Sequence, residues 1–396
     1  MNQRFYSLDV FRGATVALMI LVNNPGSWAH IYPPLEHAPW HGCTPTDLVF
    51  PFFLFAVGNA LAFVMPRLEA AGESVVWRKI FKRSALIFFI GLMLNWFPFI
   101  KWDHDHIVFK PWRYIDADGH LQGVRILGVL QRIALSYLFA SVIIHLFKIR
   151  GSLIAASILL IGYWIFCVAG NPADPFSVAG WFGTNVDKAI LTEAHMYHGE
   201  IVNGKPIAFD PEGFMSTFAA IVQVIFGYFI GNYILRKGKT AEMVNGLFVA
   251  GCVLVFAGFC WDMLFPINKK IWTSSYTVYT TGLASMVLGL MIYVIEFKNW
   301  RGWWSRFFDV FGKNPLFIFV LSGSIPRLQA LIRIPNGLTT TGAPQYLTPF
   351  AWFYEHICKP ISTNPNNGSL LYAICMIGMY WSIVWWMDKK KIYVKV

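Results

Sequence analysis

Apolar residues fall in long runs rather than in strand-like alternation or heptads. The runs cover about 8–24, 46–66, 84–100, 124–147, 153–169, 214–235, 244–264, 276–297, 307–323 and 370–387. Each is apolar on most sides, the pattern of a helix that faces lipid. About 20 residues carry a helix across the bilayer core. Helices close their backbone hydrogen bonds within themselves, which a medium without water demands. The pattern predicts an all-α, polytopic integral membrane protein with about ten transmembrane helices and long outer loops. Arg4 precedes the first run as in a signal peptide, but Asn23-Asn24-Pro25-Gly26 follows where a small-residue cleavage site would stand. That run reads as a retained helix.

Composition sharpens this picture. Hydrophobic residues make up 56% of the 396 and charged residues 13%, against about 25% charged in an average soluble domain. A disordered chain, a coiled coil and an ordinary soluble enzyme are excluded. The net charge of +11 resides largely at the N-terminus, in the short loops after even-numbered runs and in the C-terminal tail. That bias places both termini in the cytoplasm. Loops 25–45, 101–123, 170–213 and 324–369 then face outward. Long loops without structure of their own are uncommon unless they bind or catalyse. No inverted repeat of the transporter kind is evident. The six cysteines form no C-x-x-C pair, so neither a structural zinc nor a thiol-redox site is expected. A Cys43–Cys358 disulfide is the one pairing that the loop assignment offers.

Charges inside the runs cost roughly 2.5–3.5 kcal/mol each on insertion scales, so each needs a partner or a task. Asp9 and Arg12 share a helix face, which suits an ion pair or a ligand contact. Arg125 and Arg132 lie two helical turns apart and point the same way. Arg125 is near the outer face, where an interface anchor is ordinary; Arg132, deeper and beside Gln131, calls for an anion or carboxylate in a polar cavity. Asp47 follows Thr44-Pro45-Thr46 as a capping residue does, and is equally placed to orient an imidazole. In Phe311-Gly312-Lys313-Asn314-Pro315 the ninth run is interrupted. Either a broken helix lines a cavity, with Lys313 for a phosphate, or the helix starts at Pro315 and Lys313 belongs to the basic inner loop. His104 with His106, and His195 with His198, fit no zinc pattern, and no metal is expected.

The stretch Val22-Asn23-Asn24-Pro25-Gly26, followed by His37-Ala38-Pro39-Trp40-His41-Gly42-Cys43-Thr44-Pro45-Thr46-Asp47, sets an amide at one helix end and an imidazole and a carboxylate near the next helix start. Further motifs are Leu8-Asp9-Val10-Phe11-Arg12-Gly13, Gly128-Val129-Leu130-Gln131-Arg132, Phe209-Asp210-Pro211-Glu212-Gly213 and Phe265-Pro266-Ile267-Asn268-Lys269-Lys270-Ile271-Trp272. In this order they resemble the heparan-α-glucosaminide N-acetyltransferase family of transmembrane acyltransferases, bacterial members included. The resemblance covers nearly the whole chain, and residues 1–396 are read as a single transmembrane acyltransferase domain. The N-terminal luminal region and extra helix of the animal enzyme have no counterpart, so the bacterial form is the nearer one. Pro39, Pro45 and loop 170–213 depart from the family pattern and leave the acceptor sugar open.

The resemblance implies transfer of an acetyl group from cytoplasmic acetyl-CoA to the amine of a glucosamine-type sugar on the outer side of a bacterial inner (plasma) membrane. The family's catalytic His matches His37, and its active-site Asn matches Asn23. A histidine base suits deprotonation of an ammonium near neutrality, with Asn23 at the developing oxyanion and Asp47 holding the imidazole. A ping-pong route through acetyl-His37 is the other course. Gln131 and Arg132 are expected along the pantetheine path, and Lys313, Asn314, Arg78, Lys79, Arg236 and Lys237, with Arg83 nearby, at the CoA phosphates. Asp210 and Glu212 are expected at the acceptor ammonium, with Trp40, Asn268, Lys269 and Trp272 around the sugar. The expected partners are the amino sugar and membrane lipid, with no nucleic acid and with a homodimer as the assembly. Two other readings share the helices and buried arginine: a sugar or acyl-lipid transporter, and an O-acetyltransferase of cell-envelope polysaccharide.

Overall fold

The computed structural model describes residues 5–103, 106–115, 121–202, 204–338 and 344–394. The chain runs through α1 (Tyr6–Asn23), α2 (Val49–Ala70), α3 (Glu73–Trp96), α4 (Val129–Gly170), the short α5 (Gly183–Leu191), α6 (Thr217–Lys237), α7 (Ala241–Asp262), α8 (Ser274–Ile292), α9 (Trp303–Lys313), α10 (Pro315–Gln329), the brief α11 (Pro349–Phe353) and α12 (Pro365–Lys389). Among the described residues seven helices are long and apolar enough to cross a membrane: α1, α2, α4, α6, α7, α8 and α12. The fold is mainly helical, as the hydrophobic runs predict, but the count of ten exceeds these seven.

Three local features account for the difference. α4 is 42 residues long and breaks at Lys148, whose φ is 54°; its two parts coincide with the fourth and fifth runs. Every 18-residue stretch of α3 contains Lys79, Lys82 and Arg83, which tip it out of the apolar class. The ninth run is two helices. α9 ends at Lys313, and α10 begins at Pro315 and has only 15 residues.

Close backbone approach holds the bundle together. Gly58 of α2 lies where a Cβ would meet the Val224 carbonyl oxygen of α6 at 1.9 Å, and Gly227 of α6 packs likewise on the Phe55 carbonyl. Small residues at such crossings are the usual means of packing helices in membranes. This contact aligns the N-terminal ends of α2 and α6, from which the site is built.

The long loops are not structureless. They carry four antiparallel hairpins: β1–β2 (Ile100–Asp103, His106–Phe109), β3–β4 (Arg113–Ile115, Leu121–Gly123), β5–β6 (Glu200–Val202, Lys205–Ile207) and β7–β8 (Ile334–Leu338, Pro344–Leu347). The strands have three to five residues, too few for a readable alternation. The disulfide expectation is corrected: all six cysteines are free, and Cys43 and Cys358 form no bridge.

Candidate active site

Asp47 sits in a tight turn, Pro45–Leu48, which leads into α2. Proline at the first turn position fits its fixed φ and missing N–H. Thr44 and Asp47 cap one another across this turn. Oδ2 of Asp47 accepts from the Thr44 N–H (3.1 Å), the Thr44 hydroxyl (3.1 Å) and the Ala38 N–H (3.0 Å). Oδ1 is left for His37, whose Nδ1 lies 2.7 Å away. Lys269 closes the group, with Nζ 3.4 Å from Asp47 Oδ1 and 3.1 Å from His37 Nδ1.

One ring nitrogen cannot both donate to Asp47 and accept from Lys269. The nearer, anionic carboxylate takes the Nδ1–H, and Lys269 ion-pairs with Asp47 alongside. The Nε2 lone pair is then the basic position, and Nε2 has no hydrogen-bond partner among the described residues. Asp47 is 2% exposed and His37 40%, so the carboxylate is fixed while the imidazole meets solvent. Burial pushes the Lys269 ammonium below the ordinary lysine value, with Asp47 and Glu212 pulling it back.

Distant segments fix this group in place. The Tyr276 hydroxyl on α8 donates to the Asp47 carbonyl at 2.6 Å, and the Gly42 N–H to Ile267 O at 2.7 Å. Thr273 caps α8 and also accepts from the Asn268 N–H at 3.0 Å, which holds the turn that presents Lys269. A cavity of about 290 Å³ opens beside His37, Asp47 and Lys269, with Trp40, Arg132, Glu212 and Trp272 also in its wall.

The carboxylates expected at a substrate ammonium have a different partner. Arg125 donates from Nε to Asp210 Oδ2 (3.0 Å) and from Nη2 to Oδ1 (2.6 Å), and its Nη2 also donates to Glu212. Asp210 is fully buried and absent from the cavity wall; Glu212 lines it. Burial alone would raise Glu212, but Arg125 and Arg132 outweigh it and hold the carboxyl below its usual range. Arg125 is thus a clamp rather than an interface anchor, because two carboxylates of the loop before α6 close on it.

Asn23 ends α1 and lines a neighbouring cavity of about 420 Å³ rather than the one at His37. Gln131 lines that neighbour with it. A third cavity, of about 490 Å³, has Arg12, Lys79, Arg83 and Lys313 in its wall. The three adjoin: Leu130 and Phe319 line both the third and the second, and Arg125 and Val129 line both the second and the first.

Other expected residues are exposed or already held by partners within the chain. Arg78 and Arg236 are exposed, and Lys237 pairs with Glu242 at 2.6 Å. None of the three lines these cavities. Asn314 is buried and holds the C-terminal segment, bonding Ile392 O (3.0 Å) and the Val394 N–H (2.8 Å). Asn268 is buried and shapes its own turn, its Oδ1 accepting from the Ile271 N–H at 3.0 Å. Lys313 pairs with Asp309 (2.8 Å) and Asp388 (3.0 Å). Trp40 donates its indole N–H to Phe176 O at 2.8 Å. His104 lies outside the described residues, among which no cluster of three or more His, Cys, Asp or Glu fit for a metal occurs. The pairing of Lys269 with the His37–Asp47 dyad was not legible beforehand; the excess of carboxylates in Asp210-Pro211-Glu212 over nearby cations was the signal for the Arg125 clamp.

Comparison with known proteins places the chain in a family. The catalytic-domain model of heparan-alpha-glucosaminide N-acetyltransferase matches residues 4–258, a stretch with His37, Asp47, Arg125, Arg132, Asp210 and Glu212; Lys269 and Trp272 fall beyond it. The chain is 26% identical over 367 residues to heparan-alpha-glucosaminide N-acetyltransferase of Homo sapiens and 25% over 368 residues to that of Mus musculus. Each alignment covers 80% of this chain and 52% and 53% of the relatives, respectively, so the chain spans about half their length. With the match extending over more than half of its residues, the chain belongs to the heparan-alpha-glucosaminide N-acetyltransferase catalytic family.

Proposed function

We propose that the protein transfers an acetyl group from cytoplasmic acetyl-CoA, across the membrane, to the amine of a glucosamine-type sugar at the outer face. The observation that carries this reading is the run of three adjoining cavities, from one walled by Lys79, Arg83 and Lys313 to one walled by His37 and Asp47. The CoA phosphates fit the cationic end, the pantetheine arm the middle cavity past Gln131, and the thioester the end at His37. In this reading the protein makes ten passes, with both termini in the cytoplasm of a bacterial inner membrane.

The chemistry follows from the dyad. Asp47 holds the Nδ1–H, so Nε2 takes a proton from the acceptor ammonium. The freed amine attacks the thioester carbon, the C–S bond breaks, and the thiolate of CoA takes up the proton held by His37. The second proton of the attacking nitrogen is then lost to Nε2 as the neutral amide forms, and passes from there to solvent. Bases of this kind contribute about 10²–10⁴-fold. No metal enters the scheme.

The test is turnover of radiolabelled acetyl-CoA with glucosamine by the purified protein. His37→Ala is expected to lose activity by about 10²–10⁴-fold while CoA binding, read by calorimetry, persists. Activity retained in that variant overturns the reading, as does transfer confined to hydroxyl-only sugars. Transport of acceptor without saturable acetyl-CoA binding would make the protein a carrier instead.

A further inference from the structure

Each buried charge around the His37 cavity has an opposite partner except one. Asp47 has His37 and Lys269, and Asp210 and Glu212 have Arg125. Arg132 is 1% exposed, lines the cavity, and has no carboxylate within ion-pair distance among the described residues. Its Nη2 donates to Gly213 O at 3.3 Å and to the Ser216 hydroxyl. Its Nε is buried with no partner, and its guanidinium lies 5.1 Å from the Trp272 ring centroid. A guanidinium has five donors, and here only one of its nitrogens is engaged. Glu212 acts on this cation only from beyond contact distance, and a buried guanidinium with no contact partner is costly unless something negative arrives there.

We infer that Arg132 is a catalytic residue that stabilises the oxyanion of acyl transfer, in the role the sequence suggests for Asn23. Asn23 is exposed at the end of α1 and faces the neighbouring cavity. Arg132 shares a wall with His37, and the adjacent Gln131 lines the neighbouring cavity, so the guanidinium faces the chamber that holds the base. When the amine nitrogen attacks the carbonyl carbon, the C=O π pair moves onto oxygen. Arg132 donates to that O⁻ until the pair returns and the C–S bond breaks. The CoA thiolate takes the proton held by His37, and the nitrogen gives its surplus proton to the freed Nε2, leaving the neutral amide. The charge exists only at and near the transition state, so the contact acts on kcat.

This inference rests on the acetyl-transfer reading, and its test separates the two. Arg132→Gln is expected to lower kcat by about 10²–10³-fold, with KM for acetyl-CoA and for the amine, and the Kd of CoA, within about threefold of wild type. In Arg132→Ala, guanidinium chloride at millimolar, non-denaturing levels is expected to restore part of kcat; His37→Ala is expected to gain nothing from it. Arg132→Lys, which keeps the charge without the planar fork, is expected to retain CoA binding and fall between wild type and Gln. A wild-type protein that does not turn over acetyl-CoA sinks the parent reading. Normal turnover in Arg132→Gln, a change confined to the amine KM, or a loss of Tm with no rescue by guanidinium in any of the variants sinks the Arg132 assignment alone.

Discussion

The two ends of the cavity series are built on opposite plans. At the His37 end the charges interlock: His37, Asp47 and Lys269 form one group, and Arg125, Asp210 and Glu212 another. Every charged group there but Arg132 is held in a contact pair, and the cavity is the smallest of the three, at about 290 Å³. At the other end, Lys79 and Arg83 stand in the wall of a cavity of about 490 Å³. Arg83 has a buried Nε without a partner and lies over the Tyr137 ring at 4.8 Å. Fixed, paired groups suit chemistry, because orientation is already set. Cations with spare donors suit capture of a mobile anion.

That contrast breaks most decisively at Asp47. Asp47→Asn is expected to lower kcat by about 10²–10⁴-fold through loss of the set tautomer, with the Kd of CoA unchanged; a change in Kd instead would merge the two ends into one functional unit. Next is Arg125→Met, which leaves Asp210 and Glu212 without their cation. Breaking a buried pair from one side costs about 3–5 kcal/mol, and thermal melts in detergent should register a marked fall in Tm. Lys79→Ala with Arg83→Ala is expected to raise the acetyl-CoA KM about tenfold or more, each charge-assisted contact contributing about 1.5–3 kcal/mol at most, with kcat little altered. The effect should shrink as salt rises.

The smallest effect concerns α5. Asp187 is buried, accepts from the Phe214 N–H at 2.7 Å, and has a second oxygen without a partner. Burial pushes this carboxyl up to about 7. Its folded value lies above the unfolded one, so the protonated form is favoured in the fold. The stability it contributes is complete below about pH 4 and is lost as pH rises through about 7. Melts between pH 5 and 8 should show Tm declining upward by a few degrees, and Asp187→Asn should flatten that slope.

The long helices were legible because apolar runs are a local signal. α4 read as two runs because hydropathy drops where the helix breaks, at Lys148. The hairpins were not legible, their strands being too short to alternate. At the site, the neighbourhood of His37 and Asp47 was readable because ten residues separate them. Lys269 reaches His37 across 232 residues, and no local pattern carries such a contact. Asp210 and Glu212 looked available for an ammonium because sequence does not reveal that Arg125, 85 and 87 residues away, already occupies them.

Asn314 grips the main chain at Ile392 and Val394, and Val394 itself forms part of the wall of the cationic cavity. An affinity handle fused after this segment would therefore emerge beside that cavity. Kinetic work would do well to compare fused and cleaved protein, since obstruction there is expected to distort the KM for acetyl-CoA while leaving that for the amine untouched.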